Sequence, residues 1–142
     1  MKKSSIAQVF AIDRFMTADP HVIGPDVSLA QARRRMDELG VRHLPVLEDG
    51  KRGRLIGLLT QRDLLMLEAI TDLDPARIPV RSAMQVDVFG VDRGTPLDEV
   101  VATMASHKYG SAVVWSGGAV VGIFTSVDAM RTLAELVRTS MR

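Results

Sequence analysis

Apolar residues return at helical spacing in two stretches of the chain, first as Leu29, Ala32, Met36 and Leu39, then as Leu97, Val100, Val101 and Met104. Steps of three and four residues place such side chains on one face of a helix. They predict amphipathic helices over about 28–39 and 96–107, the second with Thr95 as N-cap and Pro96 at the first helical position. Behind each helix come two short apolar runs separated by a glycine-bearing turn, 43–47 and 54–59, then 112–115 and 119–124. Runs of that length bounded by turn residues predict strands paired as hairpins. Short extended segments, 22–23 and 86–88, precede the helices, and a second helix opens at Thr60 and again at Thr125. The order is β-α-β-β-α, twice. Residues 71–79, with Asp72, Asp74, Pro75 and Pro79, predict a linker. Residues 4–15 predict an extra N-terminal helix with Ile6, Val9 and Phe10 on one face. The last helix, 127–141, carries Met130, Leu133 and Val137 as an apolar stripe with Ala134 beside it.

The doubling extends to individual residues. Gly57-Leu58-Leu59-Thr60-Gln61-Arg62-Asp63 returns in pattern, 65 positions on, as Gly122-Ile123-Phe124-Thr125-Ser126-Val127-Asp128. Upstream, Met16 and Met84, Leu29 and Leu97, Ala32 and Val100, Met36 and Met104, and Val46 and Val114 stand 68 apart. The difference is taken up in the turn between Val46 and Gly57, where extra residues cost little. The chain is therefore an internal duplication, divided into an N-terminal helix (1–14), a first repeat (15–74) and a second repeat with the C-terminal helix (75–142). The expected fold class is α/β (α+β), two repeats packed sheet to sheet about a pseudo-twofold axis.

Composition narrows the function. Of 142 residues 46% are hydrophobic, enough for a sizeable core. A net charge of +1 gives no electrostatic basis for binding nucleic acid. The absence of cysteine excludes disulfides, zinc–thiolate sites and thiol nucleophiles. No apolar run approaches the roughly 20 residues of a membrane span, and the N-terminus does not read as a signal peptide, so the expectation is a cytoplasmic protein without a membrane partner. His21, His43 and His107 have no partner at metal-ligand spacing. Arg33, Arg34 and Arg35 fan about 100° apart on a helix and form no single face. The methionines fall mostly at core spacing. No nucleophile–base pair is legible, so the chain does not read as an enzyme.

The repeated corner holds the candidate chemistry. Thr60 and Thr125 each end a strand and open a helix, with Asp63 and Asp128 three residues on, close to a capping box. The same arrangement suits a ligand. A helix N-terminus offers unpaired backbone N–H groups to phosphate, and a carboxylate beside it can accept from both hydroxyls of a ribose. Gly57 and Gly122, just upstream, leave room for close backbone approach. Ribose plus phosphate points to a nucleotide.

Together these motifs resemble a tandem pair of CBS domains, the module named after cystathionine β-synthase, over about 15–137. The marks are Met16-Thr17 with Asp19, Gly40-Val41-Arg42-His43-Leu44-Pro45-Val46 and the Gly57 motif, then Met84, Lys108-Tyr109-Gly110-Ser111-Ala112-Val113-Val114 and the Gly122 motif. The resemblance implies a stand-alone regulatory module that binds AMP, ADP or ATP, or S-adenosylmethionine or NAD, with no resident cofactor. It implies one site joining Thr125, Ser126 and Asp128 with Met16, His21, Arg42 and His43, and another joining Thr60, Arg62 and Asp63 with Met84, Phe89, Gly110 and Ser111. It also implies a homodimer and an effector protein that reads the bound state. The alternative is an interaction module with degenerate sites. Arg62, which has Val127 as its counterpart, favours the Thr60–Asp63 corner for a phosphorylated ligand.

Overall fold

The computed structural model describes residues 10–50, 53–70 and 72–141. In chain order they form β1 (Thr17–Ala18), α1 (Leu29–Leu39), β2 (His43–Leu47), β3 (Leu55–Thr60), α2 (Gln61–Glu68), β4 (Gly90–Asp92), α3 (Leu97–His107), β5 (Ser111–Ser116), β6 (Ala119–Thr125) and α4 (Ser126–Ser140). The fold is mixed α/β. The chain divides into two compact units, one contiguous (His21–Val88) and one composite (Met1–Pro20 with Phe89–Arg142).

In the contiguous unit, β2 and β3 pair antiparallel, His43 opposite Thr60 and Val46 opposite Gly57. Ile23 bridges Val46 in parallel and Gln85 bridges Leu58 antiparallel. α1 starts at Ser28 because a capping box closes there: Ser28 Oγ accepts from the Gln31 amide at 3.2 Å while the Gln31 side chain accepts from the Ser28 amide. It stops at Gly40, whose φ of 66° is left-handed and suits glycine. The inner face of α1 (Leu29, Ala32, Met36) packs on Ile23, Leu44, Val46, Leu59, Leu64 and Val80. Burial of such side chains stabilises by about 1.5–3 kcal/mol each.

The composite unit holds a four-stranded sheet in the order β1-β6-β5-β4, with β4 parallel to β5 and the other pairs antiparallel. Its core is Ile12, Leu97, Val100, Met104, Ala112, Val114 and Phe124. The pairing register is itself duplicated. Thr17 lies opposite Ile123 as Gln85 lies opposite Leu58, and Val91 opposite Val114 as Ile23 opposite Val46. β1, though first in the chain, thus completes the sheet that carries the second Thr-x-x-Asp corner.

Several expectations change. The extended residue before α3 is not in 86–88, and β4 forms at Gly90–Asp92 instead. Pro96, not Thr95, is the N-cap of α3 and makes no side-chain cap bond. The Leu97 amide instead donates to Phe10 O at 2.7 Å. Residues 4–9 of the expected N-terminal helix lie outside the described residues. What is described is a bridge at Ala11 and a single 3-10 turn, Ile12–Arg14. The linker is tied to the contiguous unit, because Ile78 O and Pro75 O accept from the Leu29 and Ala30 amides at 2.8 and 3.1 Å. Among the described residues no helix is long and apolar enough to cross a membrane.

Candidate functional site

Both corners are built alike. At the start of α2, Thr60 is extended (φ −115°, ψ 157°) and closes a capping box with Asp63. Asp63 Oδ2 accepts from the Thr60 amide and hydroxyl, both at 2.9 Å, and Thr60 Oγ1 accepts from the Asp63 amide at 3.2 Å. At the start of α4, Asp128 Oδ2 accepts from the Thr125 amide at 2.9 Å and its hydroxyl at 3.2 Å, and Thr125 Oγ1 accepts from the Asp128 amide at 3.3 Å. In each case Oδ2 is committed to the cap, which holds the carboxylate in a fixed orientation. The other oxygen, Oδ1, is left to face neighbours.

The neighbours differ. Asp63 is half-buried, and its Oδ1 accepts from Gln85 Nε2 at 3.3 Å. Asp128 is buried (7% exposed), and its Oδ1 accepts from Thr17 Oγ1 at 3.3 Å and from the Arg131 guanidinium at 3.4 Å. Thr17 and Gln85 are equivalent positions, 68 apart, so each carboxylate meets a polar side chain from the strand segment that flanks it. Sequence reading missed Gln85 and Arg131 and gave Thr17 no role. Signals existed: Thr17 and Gln85 each follow the repeated methionine, and Arg131 stands three residues after Asp128, on the same helical face. Arg131 also offsets the asymmetry read from Arg62 and Val127, since each corner now has one arginine on its helix.

The other expected residues fall as follows. Met84 belongs with the Thr60–Asp63 corner and Met16 with the Thr125–Asp128 corner, each within one unit. Their side chains fill the space left by the motif glycines: a Cβ on Gly57 would lie 2.5 Å from Met84 Sδ, and one on Gly122 2.9 Å from Met16 Cγ. That space is therefore occupied by methionine and is not open to a ligand backbone. Arg42 O accepts from the Gln61 amide at 2.9 Å and His43 lies opposite Thr60, so both border the Thr60–Asp63 corner. Gly110 O accepts from the Ser126 amide at 3.0 Å and buried Ser111 lies opposite Thr125, so both border the Thr125–Asp128 corner. Phe89 O accepts from the Val113 amide at 3.0 Å, and the Phe89 ring stacks on Tyr109 at 5.1 Å between centroids. His21 is exposed at the start of the contiguous unit, and Arg62 and Ser126 are exposed on the first turns of α2 and α4.

Among the described residues, His43 is the one titratable group with a clear shift. Burial lowers its pKa below the model-peptide 6.5, the charge of Arg42 lowers it further, and Asp63 opposes both. A neutral imidazole beside the Asp63 carboxylate leaves that corner without a histidine charge near neutral pH. Among the described residues no group of three or more His, Asp or Glu is placed to hold a metal ion.

The doubled corner, with its register repeated strand by strand, meets its match in known proteins. The CBS domain matches residues 11–69 and 80–135. The chain belongs to the CBS domain family. A curated relative of this CBS pair, hypoxic response protein 1 of Mycobacterium tuberculosis, is 29% identical over 120 residues, covering 84% of this chain and 82% of that one. The crystal structure of an uncharacterized conserved protein from Pyrococcus horikoshii is similar with a TM-score of 0.75 at 30% identity, covering 88% of this chain and 92% of that one. The crystal structure of CBSX2 in complex with AMP shares the fold, with a TM-score of 0.74 at 23% identity, covering 89% of this chain and 98% of that one.

Proposed function

We propose that this CBS pair is a regulatory module whose Thr-x-x-Asp corners bind adenine nucleotides of the AMP, ADP and ATP class. The observation that carries the reading is the split role of each carboxylate: Oδ2 is fixed by the cap, and Oδ1 is presented at the helix N-terminus. Oδ1 of Asp63 exchanges its bond from Gln85 for ribose hydroxyls, and Oδ1 of Asp128 exchanges its bonds from Thr17 and Arg131. The positive dipole ends of α2 and α4 attract phosphate, and Arg62 and Arg131 add charge at the same ends. CBSX2, whose structure contains AMP, supports the ligand class. The bound state is passed to an effector protein by differential affinity between conformations, and the chain acts as a homodimer in the cytoplasm.

Thermal shift tests this reading. AMP, ADP or ATP at a hundred times its Kd stabilises a single-site binder by about 2.7 kcal/mol. Asp63→Asn keeps one acceptor oxygen for the cap but replaces the second with a donor, so it removes the stabilisation from that corner while the unliganded protein stays folded. A wild-type melting temperature that none of the three nucleotides raises would reject the proposal and favour the interaction-module alternative.

A further inference from the structure

At both corners a donor from the chain already occupies the carboxylate oxygen that ribose would use. How readily that donor leaves therefore sets how readily a ligand enters. The duplicated fold has put different donors at the two equivalent places, Gln85 at one and Thr17 at the other.

Around Asp63 the donor is loosely held. Gln85 Nε2 lies 3.3 Å from Oδ1, the carboxylate is half-buried and Gln85 is exposed. The Gln85 backbone is fixed by reciprocal bonds with Leu58, at 2.8 and 2.9 Å. Its long side chain turns about several bonds, so the amide swings into water while the strand stays in place.

Around Asp128 the donors are held more firmly. Thr17 Oγ1 lies 3.3 Å from Oδ1 and Arg131 Nη1 3.4 Å, and the Asp128 side chain is only 8% exposed. Little water reaches this carboxylate to replace a donor that leaves. Thr17 is anchored in β1, opposite Ile123, and the Asp19 amide just after it donates to Val121 O at 3.2 Å. A threonine side chain has a single rotatable bond to its hydroxyl and is stiff about it. Withdrawing that hydroxyl takes a full χ1 flip or a shift of β1. The Thr17 bond also runs to a charged acceptor, which makes it stronger than a bond between neutral groups.

We infer that Thr17 ranks the two sites: its hydroxyl competes with ribose for Asp128, so nucleotide fills the Thr60–Asp63 corner first and the Thr125–Asp128 corner only at higher concentration. The inference rests on the nucleotide reading above and names what regulates its second site. At low nucleotide the contiguous unit alone is liganded and β1 stays tied to α4 through Asp128. At high nucleotide that tie is exchanged for ribose.

Titration calorimetry of AMP into the full chain and its variants tests the ranking. The wild type should bind in two steps, the second weaker by tenfold or more, and Asp63→Asn should remove the tighter one. Thr17→Val keeps the branched shape and strand preference of threonine and removes the hydroxyl. It should tighten the weaker step by about tenfold, the effect of losing one competing bond to a charged group. The sign separates competition from a merely structural role, because a loosened β1 would weaken the site. Thr17→Ser, which keeps a hydroxyl, should behave as the wild type. Two equal steps in the wild type would overturn the inference and leave the nucleotide reading standing. So would a weaker step that Thr17→Val leaves unchanged or weakens, or a single step in wild type and Thr17→Val alike. Wild-type protein that binds no AMP would reject the nucleotide reading, and the ranking with it.

Discussion

Replacing Asp128 by alanine should destabilise the fold more than replacing Asp63, although the two occupy equivalent corners. Both substitutions remove a capping box, a loss of about 1 kcal/mol. At Asp63 the carboxylate is half-buried and loses one further bond, from Gln85. Water reaches the groups left behind, and the total comes to about 2 kcal/mol. Asp128 is buried, and its Oδ1 ties Thr17 of β1 to α4, joining segments 111 positions apart. Its bond from Arg131 adds little, because that side chain is 65% exposed. Thr17 is itself exposed and its freed hydroxyl meets water, so the loss there is that of a hydrogen bond to a charged, buried carboxylate, about 1.5–3 kcal/mol. The total for Asp128→Ala is about 3–4 kcal/mol. For a chain of this length each kcal/mol moves Tm by about 3 °C, so Asp128→Ala should lower Tm by about 10 °C and Asp63→Ala by about 6 °C. Calorimetric melting of the unliganded proteins measures both. Equal losses, or a larger loss for Asp63→Ala, would refute the argument that Thr17 and burial make Asp128 a structural tie as well as a ligand group.

Gly122→Ala forces its Cβ into Met16 and should cost about 1–3 kcal/mol by overpacking; adding Met16→Ala should restore part of that loss, which a double-variant melting cycle checks. His43, with its folded pKa lowered, binds fewer protons folded than unfolded, so its contribution to stability is full above the unfolded value near 6.5 and is lost as pH falls through the folded value. Denaturant titrations between pH 7.5 and 5 should show stability falling with acid, less steeply in His43→Gln. Ser28→Ala removes the cap of α1 and should cost about 1 kcal/mol by the same measurement.

Much of this was legible in the chain. Helix faces such as Leu29–Ala32–Met36 and hairpins such as β2–β3 follow from periodicity, because each face meets a single core. The Thr-x-x-Asp corners were readable because capping is local, three residues apart. The partners of the free oxygens were harder. Thr17 reaches Asp128 only because β1 joins β6, a long-range pairing that local pattern does not encode. Two residues of strand, Thr17–Ala18, carry too little periodicity to announce themselves. The motif glycines misled for a related reason. A glycine in a strand signals close approach, but not whether a ligand or a methionine side chain approaches. The cap of α3 was misplaced because Phe10, distant in sequence, supplies the acceptor that Thr95 was expected to provide.

The most direct test of the central claim is titration calorimetry of AMP into the wild-type chain and into Asp63→Asn. Saturable binding by the wild type, weakened at least tenfold at one site in the variant, or about 1.4 kcal/mol, is the expected result. Wild-type protein that binds no AMP, or a variant that binds it with unchanged affinity and stoichiometry, would contradict a ribose-holding role for the Thr60–Asp63 corner.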